Sequence, residues 1–446
     1  MKITGIIVFI FLLMIACSVF SQELVVKDRI THQPLEMVAV YRHHPTVAVL
    51  TNFKGRVNIS AFQNADSVFI QLLGYESVTY SYEQLKNMQF RLFLDQVDLS
   101  LDEVVISATR WEQSKRDVPQ KIVMIKPAEV ALQNPQTAAD MLQASGEVFV
   151  QKSQLGGGSP MIRGFATNRL LIVVDGVRMN TAIFRSGNLQ NVISLDPLAI
   201  EKTEVAYGPS SLIYGSDAIG GVMSFYTLAP SLSMDDKPLF KGNAFARWSS
   251  ADMENTGHLD LTIGLKKWAF VTSATFTDYD DIKMGEHGPE EYLRPEYAKT
   301  IDGVDTMIVN DDPLVQVPSG YHQINLMQKV RFQPDEHWNI NYGFHFSTTS
   351  DYSRYDRLLR YRKGKQRSAE WYYGPQKWMM NGLSITHNKN TRLYDLFNLT
   401  LAWQWFEESR HDRDFGDTEL RHRTEKVNAY SVNVDLEKEL GEKQKL

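Results

Sequence analysis

The chain has 446 residues, a formal net charge of −6 and a sequence pI near 6.0. That length calls for several domains, and the acidic balance gives no support to a nucleic-acid partner. A mean hydropathy of −0.29 excludes a bundle of apolar membrane helices, and a single cysteine, Cys17, excludes a disulfide scaffold.

Residues 1–21 read as an export leader. Lys2 supplies the basic start, and residues 6–16 form an apolar run too short to cross a bilayer. Val19, Phe20 and Ser21 then lead to a cleavage point before Gln22. A lipoprotein leader with Cys17 as the lipidated residue is the other reading of this segment. Cleavage at Gln22 leaves no thiol, so a cysteine nucleophile and Cys-based zinc ligation are excluded. A thiol-free chain also suits export through an oxidising compartment.

Residues 22–96 alternate short β-branched runs with turn residues, the pattern of a small β-sandwich. Asp28, Thr31, Pro34, Leu35, Thr51, Asn52, Gly55, Gly74 and Tyr75 stand in the order of the carboxypeptidase regulatory-like domain, which the segment resembles. Asn52 replaces the usual Asp of that turn. The resemblance implies a non-catalytic module. His43 and His44, adjacent on a strand, point to opposite faces and make no metal pair.

Residues 97–116 form a linker. Its centre, Asp102, Glu103, Val104, Val105, Ile106, Ser107, Ala108 and Thr109, holds a short apolar strand between polar flanks. Its place between two domains predicts an exposed strand, open to edge-to-edge pairing with a partner.

Residues 117–230 read as a mixed α/β globule. The pattern predicts a strand over 118–125, short helices over 128–132 and 137–144, and strands over 161–163 and 170–175. Thr137 caps the second helix and Gly146 stops it. Arg163-Gly164 and Asp175-Gly176, with Arg178, precede the Gly-rich run 204–227. In that run Gly208-Pro209 and Gly215 mark tight turns, and Gly220-Gly221 lets backbone pack closely before a strand.

In this order and spacing the segment resembles the plug domain of TonB-dependent outer-membrane receptors. Residues 102–109 then resemble the TonB box, on which an energy-coupling protein pairs. The resemblance implies that Arg163, Asp175 and Arg178 hold the plug together through a buried Arg–Asp pairing and couple it to a barrel wall. It also implies that loops 153–160 and 180–191 face the substrate, with Phe184, Arg185, Asn188 and Gln190 binding it.

Residues 231–446 change character. Eight segments alternate apolar with polar: 242–250, 257–265, 268–278, 320–332, 338–350, 376–388, 392–408 and 424–438. The connections 279–319 and 351–375 are long and 409–423 is moderately long, whereas 266–267, 333–337 and 388–390 are tight. Such one-sided loop lengths are the signature of a transmembrane antiparallel barrel. Eight strands cannot enclose a plug of about 110 residues, since a plugged lumen goes with about 22 strands. The expectation is therefore a partial barrel with further strands beyond Leu446.

No nucleophile–base constellation or zinc-protease motif is present, and Gly156-Gly157-Gly158-Ser159 lacks the Lys-Ser/Thr of a phosphate loop. Most of His258, His287, His322, His337, His345, His387, His411 and His422 fall at loops and strand ends, and most read as solvated. No catalytic residue, metal site or cofactor is expected. Loop 279–319 is acidic, whereas 351–375 is rich in Arg, Lys and Tyr and suited to gather an anionic chelate or lipopolysaccharide phosphates.

The fold class expected is thus multidomain: a small β-sandwich (22–96), an α/β plug (117–230) and the first part of a transmembrane β-barrel (231–446). The resemblance implies an outer-membrane protein that actively imports a scarce nutrient: haem, an iron siderophore or cobalamin. Its partners would be a TonB-type energy-coupling protein and outer-membrane lipid. The plug segment has no histidine, so any axial ligand to haem falls to the barrel loops or to the part expected beyond Leu446. The alternative is an adhesion or signalling receptor on the same scaffold, without import.

Overall fold

A computed structural model describes residues 22–42, 47–63, 65–72, 74–95, 104–106, 113–114, 118, 120–152, 155–166, 169–179, 181–183 and 191–439. The expected leader and the His43-His44 pair lie outside them. The chain divides into two compact units, Met1–Glu103 and Val104–Leu446.

The first unit holds two small sheets. Strands β1 (Glu23–Asp28), β4 (Arg56–Asn58) and β7 (Arg91–Leu94) form one, in the order β4-β1-β7. Strands β2 (Ala39–Arg42), β3 (Val47–Leu50), β5 (Val68–Gln71) and β6 (Val78–Tyr80) form the other, in the order β3-β2-β5-β6. Leu24, Val26, Val40, Ile59, Phe62, Ile70, Leu85 and Leu94 are sealed between them. The polar residues singled out in the sequence build the turns. Asp28 accepts the backbone N–H of Thr31 at 2.6 Å and the Tyr75 hydroxyl at 2.9 Å. Thr51 donates its hydroxyl to the Leu35 carbonyl at 2.7 Å, and Asn52 accepts the Lys54 N–H at 2.9 Å.

The second unit opens with a two-residue ladder, β8 (Val104–Val105) against β9 (Gln113–Ser114). Its α/β region is a five-stranded sheet in the order β10-β16-β17-β14-β15, from β10 (Ile122–Ile125), β14 (Leu170–Val174), β15 (Val177–Arg178), β16 (Ile200–Tyr207) and β17 (Gly221–Thr227). A second sheet joins β11 (Phe149–Gln151), β12 (Ser159–Ile162) and β13 (Phe165–Ala166). The strand expected over 118–125 begins only at Ile122, where the ladder with β16 starts, and Gln120 donates its side-chain amide to the Tyr207 carbonyl at 2.8 Å. Helix Ala138–Ala144 starts on a capping box between Thr137 and Asp140, which satisfies its first N–H groups. It buries Ala138, Met141 and Leu142.

The long sheet is antiparallel and ten-stranded. Its eight long strands are β18 (Leu239–Ser249), β19 (Glu254–Gly264), β20 (Trp268–Tyr279), β23 (Tyr321–Phe332), β24 (Trp338–Thr349), β29 (Lys377–Asn388), β30 (Leu396–Asp414) and β31 (Arg421–Glu437). The connections are not plain loops. The first long one carries a hairpin, β21 (Glu296–Ile301) with β22 (Val304–Val309). The second carries β25 (Tyr352–Ser353), a helical turn at Tyr355–Leu358, a hairpin of β26 (Tyr361–Arg362) with β27 (Lys365–Gln366), and β28 (Ser368–Tyr373). The connection expected over 409–423 shrinks to 415–420, because β30 and β31 run on as one ladder.

The two faces of this sheet have opposite chemistry. The inner face buries Thr256, His258, Asp260, Ser273, Thr275, Gln323, Asn325, Lys329 and His345. The outer face exposes Leu259, Leu261, Phe276, Ile324, Leu326, Leu401, Trp403, Tyr430, Val432 and Val434. At the tight-turn end stacked rings line the rim: Trp268 on Phe332 and Trp338 on His387, each 4.1 Å between centroids. His258 and His345 are buried on the inner face rather than solvated, since alternation turns them inward, whereas His387 is buried on the outer face against Trp338.

Candidate functional site

The α/β region packs against the inner face of the long sheet. Trp378, Met380, Ala402 and Phe406 join its apolar core with Val174, Val177 and Met179. Polar contacts stitch the same seam. Gln323 donates its amide to the Ile193 carbonyl at 2.6 Å, and Gln404 donates to the Arg178 carbonyl at 2.9 Å. Gln136 donates to Glu254 at 2.7 Å. Thr275 donates its hydroxyl to Asp196 at 2.5 Å, where burial pushes the Asp196 carboxyl above the usual carboxylate range.

Asp175 is the centre of the seam. It sits in the tight turn between β14 and β15 at φ 47°, with Gly176 at φ 82° completing the reversal. Its carboxylate accepts the Thr227 N–H at 2.9 Å and the Thr227 hydroxyl at 2.7 Å. From the long sheet come Lys329 Nζ at 2.9 Å and His345 Nε2 at 3.1 Å. Burial by itself would raise this carboxyl. The adjacent Lys329 charge and the His345 contact outweigh that and hold it well below the usual carboxylate range. Lys329 also donates to the Thr227 carbonyl at 3.2 Å.

The expected Arg–Asp pairing is not what forms. Arg163 is exposed, at φ 48° in the turn closed by Gly164, with its guanidinium carbon 5.1 Å from the Tyr207 ring centroid. Arg178 pairs with Asp217 at 3.3 Å, inside the α/β region. Asp175 is instead paired with Lys329 and His345. Gly208, before Pro209, and Gly215 take φ of 89° and 86° in the turns expected of them. Gly220 is there for space. A Cβ on it would lie 2.4 Å from Phe165 Cβ and 2.9 Å from the Arg169 carbonyl oxygen. Gly221 takes φ 149°, and a Cβ there would lie 2.6 Å from the Ala206 carbonyl oxygen.

Of the residues proposed for strand pairing, Val104, Val105 and Ile106 are described; Asp102, Glu103, Ser107, Ala108 and Thr109 lie outside. The expected exposure is not met at Val105. It is fully buried with Ile122, Leu171, Val173, Ala206 and Val222, which stabilises the docked segment by about 2 kcal/mol. Ile106 donates its N–H to the buried Glu204 carboxylate at 3.0 Å, and Lys202 pairs with the other Glu204 oxygen at 3.0 Å. A cavity of about 390 Å³ opens beside Ile106, lined also by Asp175, Lys202, Tyr226, Lys329 and Arg331.

At the other end, toward the long connections, Tyr279, Tyr321, Tyr352 and Tyr373 cluster with Ile193 and Leu155. Their rings are 5.0 to 6.0 Å apart, and Tyr321 leaves no room for a side chain on Gly156. The substrate residues expected from sequence, Phe184, Arg185, Asn188 and Gln190, lie outside the described residues. The tyrosine cluster went unnoticed in the sequence because its members come from four separate segments.

Residues 114–222 match the family model described as the TonB-dependent Receptor Plug Domain. The α/β region is thus similar to a TonB-dependent receptor plug. Among curated proteins, the vitamin B12 transporter BtuB of Vibrio vulnificus strain YJ016 is 30% identical over 257 residues, 56% of this chain and 36% of that protein. The hemin receptor of Yersinia pestis is 35% identical over 130 residues, 29% of this chain and 19% of its own. The chain thus spans about a third or less of these relatives. Among solved structures, Pseudomonas aeruginosa FpvA bound to pyoverdine aligns with a TM-score of 0.51 at 12% identity, over 79% of this chain and 45% of that one. The ferric enterobactin receptor of the same organism aligns at 0.50 and 13% identity, over 75% and 48%. At such identities the likeness is one of fold.

Proposed function

We propose that this chain is part of an outer-membrane TonB-dependent receptor that binds a small nutrient chelate outside and admits it when the plug is pulled from below. The observation that carries this reading is the inversion of the long sheet, polar toward the plug and apolar outward. An outward apolar face of that extent needs an apolar solvent, and lipid accepts β-structure only as a closed barrel. Among the described residues β18 pairs only with β19, and β31 only with β30, so the working barrel closes these two edges by strand pairing. The curated relatives carry vitamin B12 and hemin in their names, and haem, cobalamin and ferric siderophores are the substrate classes in view.

The two ends of the plug divide the labour in this proposal. The tyrosine cluster faces the nutrient, and Phe184, Arg185, Asn188 and Gln190 bind it. Residues 102–109 receive the coupling protein by strand addition, which asks little of sequence and much of backbone. The domain at 22–96 serves as a regulatory-like module ahead of them. Deleting 104–107 tests the scheme. A transporter keeps nutrient binding at the cell surface and loses uptake; retained uptake contradicts coupling, and the adhesion or signalling reading then stands.

A further inference from the structure

We propose that His411 and His422 form a two-imidazole site for a late transition-metal dication, with Cu(II) the preferred ion. The two residues are direct cross-strand partners on the β30–β31 hairpin. They lie beyond the Glu407 cluster, where Lys377 and Lys426 pair with one carboxylate at 3.3 and 3.1 Å. Their Nδ1 atoms face each other at 2.6 Å, with the rings 4.7 Å apart and inclined at 78°. One Nδ1 carries the shared proton and the other accepts it, so the two nitrogens face each other. A dication that displaces this proton to solvent sits beside the Nδ1–Nδ1 line, about 2.0 Å from each nitrogen, once the rings turn slightly toward it.

The His411 ring is held for this. Tyr372 stacks flat on it at 4.6 Å and 8°. The Ser409 hydroxyl occupies its Nε2 at 2.8 Å, which leaves Nδ1 to the partner ring. Gly374 makes the room, since a Cβ there would lie 2.9 Å from His411 Nε2 and 2.1 Å from Ser409 Oγ. Two nitrogens about 2.0 Å from a metal stand about 2.8 Å apart at a square corner and about 3.3 Å apart in a tetrahedron. The observed separation is nearer the square, the preference of Cu(II) and Ni(II) over Zn(II), and Cu(II) leads the affinity order. Among the described residues no group of three or more His, Cys, Asp or Glu could hold a metal ion, so the remaining positions go to water or to donors on a bound solute. His422 is exposed and His411 only partly covered, so the ion has access.

The test is copper titration of the purified full chain in detergent, followed by electron paramagnetic resonance. The wild type should bind Cu(II) with splitting from two nitrogens. His422→Ala, an exposed position whose loss leaves the circular dichroism unchanged, should weaken binding at least tenfold and abolish that splitting. Gly374→Ala should weaken it too, by moving the His411 ring, whereas the remote His322→Ala should not. Equal binding by wild type and His422→Ala, or equal affinity of the wild type for Zn(II) and Cu(II), overturns the assignment.

Discussion

A carboxylate clamped between a lysine and a histidine of an opposing wall fastens two bodies without joining them covalently. Asp175 does this for the α/β region, with Lys329 at 2.9 Å and His345 at 3.1 Å. Lys329→Met removes the full positive charge and leaves the carboxylate enclosed, which costs about 3 kcal/mol. The expected outcome is a lower urea midpoint for release of the α/β region in the detergent-solubilised chain, with the signal of the long sheet unmoved. The resemblance puts Asp175 among the residues that hold the α/β region, but Lys329 and His345 were not legible as its partners. An arginine of the same motif was the natural candidate. The actual partners come from strands about 150 residues away, and only the pairing register decides that Lys329 and His345 face inward.

Strand β8 is docked, not free, and the element scale says what holds it. Val105 fills an apolar pocket and the Glu204 carboxylate takes the Ile106 N–H at 3.0 Å. Glu204→Ala removes one charge-assisted hydrogen bond, worth about 1.5 kcal/mol, so the Ile106 amide should exchange with deuterium about tenfold faster. Unchanged exchange would show that Val105 alone holds the strand. The outer hairpin β21–β22 is fastened by charge. Asp305 pairs with Arg413 at 2.7 Å, and that hydrogen bond, chiefly, lowers its carboxyl from 3.8 to about 2. A depressed carboxyl contributes stability above its ordinary value and loses it as pH falls toward the depressed one. Pepsin should therefore cut the hairpin of the wild type only as pH falls from 3.8 toward 2, whereas Asp305→Asn should be cut already at pH 4. The eight long strands were legible because apolar–polar alternation is strong in sequence. The outward extensions of β30 and β31 were not. Beyond Glu407 the ladder continues on charge and ring pairs such as Arg410–Glu425, Arg421–Asp412 and His411–His422, which carry no apolar period.

At the scale of the whole second unit the chemistry runs inside out. Thr275, Asn325 and Lys329 are buried against the plug, while Leu326, Leu401 and Trp403 stand in the open on the other side. A water-soluble body would reverse that order, because exposed apolar area on this scale drives association. The direct measurement uses single spin labels in the chain reconstituted into lipid vesicles: Leu326→Cys and Leu401→Cys on the outer face, Asn325→Cys on the inner, each with Cys17 replaced. The outer labels should relax with oxygen dissolved in the bilayer and resist a water-soluble nickel chelate, and the inner label should resist both. Outer labels reached by the nickel chelate as readily as by oxygen would contradict a lipid-embedded wall around a plug.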